Sequence, residues 1–97
     1  MLNWFDTQES NRFARELAHD LMSQLRTSAG KKDAKFTVKA EKALIKADAR
    51  VREFKSRERL NFYKRSKLAN TFLWALKDAG CPADYATELT EWLTYRL

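Results

Sequence analysis

Ninety-seven residues, 44% hydrophobic and 33% charged, describe a chain that folds around one core and has no room for two. Its formal charge is +6, its single cysteine has no internal disulfide partner, and no apolar run reaches the roughly 20 residues a bilayer span requires. These features exclude a disordered polyelectrolyte, a disulfide scaffold and a membrane-spanning helix. With no basic segment leading into an apolar one, they set a cytoplasmic location as the expectation.

The first element begins at Asp6-Thr7-Gln8-Glu9, which has the spacing of a capping box. Phe13, Leu17, Leu21 and Leu25, flanked by Ala14, Ala18 and Met22, then recur at helical intervals. A helix over about 6–27 is expected, ending before Thr27-Ser28-Ala29-Gly30. His19, the one histidine, falls roughly 160° from the mean of that stripe and so faces solvent. Beside Glu16 and Asp20 it reads as surface rather than as a catalytic base.

Between Asp33 and Ala79 there is neither glycine nor proline, and Ala, Lys, Arg, Glu and Leu predominate. The expectation is one long helix over about 33–79, roughly 70 Å at the usual rise per residue. Phe36, Ala40, Ala43, Ala47, Val51 and Phe54 form its apolar stripe, which lapses over Lys55–Asn61 and resumes at Leu68, Phe72 and Leu76. Any bend belongs in that gap. A minor stripe of Val38, Ile45, Tyr63 and Trp74 points the other way, and self-association is one way to cover it.

Gly80 is placed to end the long helix, and Cys81-Pro82 to start another over about 82–96, with Cys81 as its cap. Tyr85, Ala86, Leu89, Trp92 and Leu93 give this helix its apolar face. The fold class is therefore all-α. The expected form is an elongated antiparallel hairpin, with the first helix folded onto the start of a long central helix and a short C-terminal helix packed back on its end.

Lys31 to Lys67 holds fourteen basic and five acidic residues, an excess of nine in a chain whose total is +6. On one helix, Lys35, Lys39, Lys42, Lys46, Arg50, Arg57, Lys64 and Lys67 fall within an arc of roughly 100° and a length of about 48 Å. Such a ridge suits an anionic partner, whereas the alternative is an ordinary solvated face with pairs such as Asp48–Arg52. If the partner is nucleic acid, Phe62 and Tyr63, set between Arg59 and Lys64-Arg65, are the candidates for base stacking. Core packing is the more ordinary role for both. A membrane surface is disfavoured, because Trp4 and Phe5 lie far from the basic segment.

Little supports catalysis. Cys81 at a helix N-terminus could be acidified into a nucleophile, but no histidine or second cysteine lies near it in sequence. Ser28-Ala29-Gly30-Lys31 matches S-x-x-K without any companion motif. No metal-ligand spacing, phosphate loop or dinucleotide fingerprint occurs, so neither metal, cofactor nor small-molecule substrate is inferred. The expected function is a non-enzymatic interaction, adaptor or regulatory module. It uses an apolar seam and the basic ridge to bind a protein partner or a second copy, with nucleic-acid binding through the ridge as the alternative.

Overall fold

The computed structural model describes residues 7–26 and 34–97, and the side chains of 7–25 and 41–97. Four helices occupy nearly all of this: α1 (Gln8–Arg26), α2 (Ala34–Arg57), α3 (Phe62–Asp78) and α4 (Ala83–Arg96). No strand occurs among the described residues. Thr7 precedes α1, and its carbonyl accepts from Asn11 N–H at 2.7 Å, so the first turn starts slightly later than read. Asp6 and its capping role lie outside the described residues, as do Trp4, Phe5 and the Ser28–Lys31 match.

The single long helix is not there. A continuous helix over 33–79 would measure roughly 70 Å, whereas the longest dimension of the molecule is 50 Å. The break falls in the expected gap, at 58–61, where Asn61 takes an extended backbone (φ −90°, ψ 178°) and caps α3. Its Oδ1 accepts from Lys64 N–H at 2.8 Å, satisfying one of the orphan amides of the new first turn. Helix propensity permits 33–79 to stay unbroken, but a straight rod would leave Leu68, Phe72 and Leu76 covered on one flank only. Turning at Asn61 buries all three completely.

The hairpin expectation therefore gives way to a ring. Going round, α1 touches α2, α2 touches α4, α4 touches α3 and α3 touches α1. Consecutive α2 and α3 lie diagonally opposite, without helix-to-helix contact among the described residues. Of these contacts, α1 with α3 is the most extensive. Phe13 of α1 stacks on Phe54 of α2, with ring centroids 4.3 Å apart and planes 8° from parallel. On another flank of α1, Asn11 Oδ1 accepts from Thr71 Oγ1 of α3 at 3.0 Å. Ser10, Ala14 and Ala18, spaced four apart and all buried, supply the small side chains that close helix approach needs.

The α3–α4 turn closes as the sequence indicates, with one shift. Gly80 has φ +96° and donates to Lys77 O, while Cys81 N–H donates to Leu76 O, both at 3.0 Å. This is a Schellman motif, and Cys81 and Leu76 are both buried in the core. Pro82, rather than Cys81, is the residue that caps α4. The far end of α4 is tied to α2 through Asp48, which accepts from Arg96 Nε at 3.0 Å and pairs with Arg52 at 2.8 Å. Lys55 Nζ also donates to the Arg96 carbonyl at 2.7 Å.

Candidate functional site

The basic residues read as one ridge are divided between two helices. Lys42 and Lys46 are exposed on α2, whereas Lys64 and Lys67 are half-buried on α3, across the ring. The side chains of Lys35 and Lys39 lie outside the described residues. Arg50 is turned inward: it hydrogen-bonds Asp20, lies 4.0 Å from Glu16 and sits 5.9 Å from the centre of the Phe13 ring. Arg57 leans over Phe54 at 5.7 Å. Breaking the helix thus takes Lys64 and Lys67 out of the 48 Å line, and α1 takes the Arg50 charge from what remains on α2.

The minor apolar stripe is divided in the same way. Ile45 is exposed on α2, and Tyr63 and Trp74 are exposed on α3, with Lys77 Nζ 4.9 Å from the Trp74 ring centre. The Val38 side chain lies outside the described residues. Of the described side chains, Ile45 is on a different helix from Tyr63 and Trp74.

Phe62 departs from its ordinary core role and is 76% exposed. It is the first residue of α3, and the α2–α3 corner before it holds a shallow depression of about 500 Å³ lined by Lys55, Arg57, Arg59, Leu60 and Leu97 among others. Phe62 itself lines a second depression, of about 530 Å³, between α3 and α4. This one is lined by Phe62, Arg65, Ser66, Ala69, Asn70 and Leu73 from α3 and by Thr90, Thr94 and Leu97 from the α4 side. A third, of about 400 Å³, shares Leu73, Thr90 and Thr94 and adds Thr87, Glu91 and Tyr95. Together they form one groove along the outer side of the α3–α4 pair, with Tyr95, 88% exposed, on its flank.

The chemistry of this groove is concealed in the sequence. Three threonines line it, and each hydroxyl is engaged by its own helix: Thr87 Oγ1 donates to Ala83 O at 3.0 Å, Thr90 to Ala86 O at 2.8 Å and Thr94 to Thr90 O at 2.9 Å. With the hydroxyls held by carbonyls one turn back, the methyl groups are what α4 offers the groove. Leu73 and Ala69 continue the apolar lining on α3. The groove is therefore shallow, apolar at its floor and small-residue lined, with exposed aromatic rings at its margins. It suits another helix better than a small polar ligand. The signal available beforehand was the spacing of Thr87, Thr90 and Thr94, which a hydrophobic count passes over.

Charge is arranged around it. α3 carries Lys64, Arg65, Lys67 and Lys77 against Asp78, and α4 carries Asp84, Glu88 and Glu91 against Arg96. Among the described residues, none of Lys64, Arg65, Lys67, Glu88 or Glu91 forms an ion pair within the chain.

Cys81 is buried, and its thiol pKa is raised, first by desolvation and then by the Asp84 charge. This is opposite to the acidified nucleophile considered from sequence. His19 is exposed on α1, in a shallow surface depression with Arg15, Glu16, Asp20 and Arg50. Among the described residues no cluster of His, Cys, Asp or Glu is arranged to hold a metal, and no helix is long and apolar enough to cross a membrane. No protein-family model, curated protein or solved structure matches the chain.

Proposed function

We propose that this protein is a non-enzymatic helical interaction module whose binding face is the α3–α4 groove. The observation that carries this reading is the groove itself, with methyl-lined α4, Ala69 and Leu73 at its floor and the exposed rings of Phe62 and Tyr95 beside it. Exposed aromatics next to a small-residue groove are features of surfaces that a partner helix fills. A photo-crosslinking residue placed at Ser66, in the groove, is expected to capture a polypeptide in cells. The same residue at Ser23, on the exposed side of α1, is expected to capture none. Equal labelling from the two positions would reject the groove as the binding face.

A second reading rests on the α2–α3 corner. Arg57 and Arg59 line the depression at that corner, and exposed Phe62 lines the adjoining groove with Arg65, a combination that can stack an unpaired base and neutralise its phosphates. Anisotropy of labelled single strands, titrated at about 50 and about 200 mM salt, would then show saturable binding that falls steeply with salt and is lost in Phe62→Ala. Binding indifferent to both salt and Phe62→Ala would remove this reading.

A further inference from the structure

We infer that the occupant of the α3–α4 groove is a second copy of this chain, related by a two-fold axis that runs along the groove, so that α3 of each copy lies over α4 of the other. This rests on the reading of the groove as the binding face and adds the identity and orientation of the partner.

Three observations fix the choice. The first is charge: α3 has a basic excess of three and α4 an acidic excess of two. A two-fold axis along the groove sets each basic helix on an acidic one, twice over, whereas an axis across the helices would set α3 on α3 and α4 on α4, like charge on like. The second is level. The antiparallel pair places Phe62 and Arg65 near Thr94 and Leu97, and the Gly80 turn lies between Lys77, near the end of α3, and Asp84, at the start of α4. An axis parallel to the helices preserves level, so Phe62 meets Tyr95 of the other copy, Arg65 meets its Glu91 and Lys77 meets its Asp84. Within one chain Arg65 and Glu91 have no ion-pair partner among the described residues, and the second copy provides one for each. The third is depth. Ser66 and Ala69 on one helix and Thr90 and Thr94 on the other are small enough for helices to approach closely, with Phe62 as the bulky group that fills the facing groove.

Sedimentation equilibrium over about 1 to 200 µM spans the affinities expected of an interface this shallow. Wild-type protein is expected to dimerise within that range. Arg65→Glu and Glu91→Arg should each weaken the dimer by about tenfold, since symmetry counts every contact twice. The double variant should recover it. Both side chains are exposed, so helical circular dichroism should be unchanged in all three. Strengthening by Arg65→Glu, or failure of the double variant to recover, would overturn the α3-over-α4 arrangement. A wild-type monomer throughout would overturn the second copy. In that case the Ser66 crosslink decides the underlying reading: an adduct with a different polypeptide retains the groove as a binding face, and no adduct removes it.

Discussion

Phe62 and Phe72 lie on one helix ten residues apart, and the fold uses them in opposite ways. Phe72 is fully buried and Phe62 is 76% exposed. Phe72→Ala should therefore cost about 3–5 kcal/mol in urea unfolding, while Phe62→Ala should stay within about 0.5 kcal/mol of wild type. A large loss from Phe62→Ala would mean that its ring is core and not surface. Cys81 makes a different prediction, about pH. Its thiol pKa is raised by desolvation and by Asp84, and the neighbouring Tyr85 pKa is raised by its own burial, then by Cys81 and Glu88. Both groups ionise more readily in the unfolded chain. The stability they contribute is complete below the ordinary thiol value of about 8.5 and is lost as pH rises through the raised folded values. The thermal midpoint should fall as pH is raised from about 8 to about 10, and less steeply in Cys81→Ala. A midpoint that is flat or rising over that range would contradict the assigned environment.

At the scale of the element, most of the helical character was legible and the connection between α2 and α3 was not. The stripe of α1, the glycine that ends α3 and the apolar face of α4 all stand where periodicity and turn chemistry put them. The break at Asn61 was visible only as a lapse in the stripe, because no glycine or proline marks it and every residue around it tolerates a helix. What decides it is tertiary: α1 offers Phe13 to α2 on one flank and a row of Ser10, Ala14 and Ala18 on another, so two helices can be satisfied by one. Asn61→Ala removes the cap and should cost about 1 kcal/mol while leaving the turn in place, since the buried Leu68, Phe72 and Leu76 hold α3 where it is. Fusion of α2 and α3 into one rod, seen as a longer particle in small-angle scattering, would show that the cap and not the packing sets the turn. The same tertiary change dispersed the basic ridge. Lys64 and Lys67 share an arc with the α2 residues only if the helix is continuous, and Arg50 is held by Asp20 and Glu16 of α1, a pairing that linear sequence does not reveal.

For the whole molecule, the ring of helices explains why one face remains open. The Arg96–Asp48 contact and the Lys55 bond to the Arg96 carbonyl hold α4 against α2 on one side. On the other side nothing covers the groove between α4 and α3 among the described residues. Thr87, Thr90 and Thr94 stand on this face, and their hydroxyls are returned to the helix backbone. The groove is thus a property of the assembled pair of helices rather than of either sequence segment. If the protein buries this face when it associates, as proposed above, hydroxyl-radical footprinting at about 1 and about 200 µM protein will show it. Phe62 and Tyr95 should oxidise readily in the dilute sample and be protected in the concentrated one, while exposed Ile45 on α2 stays equally reactive in both. Protection of Ile45 with Phe62 and Tyr95 unchanged would place association on α2 and rule out the α3–α4 face.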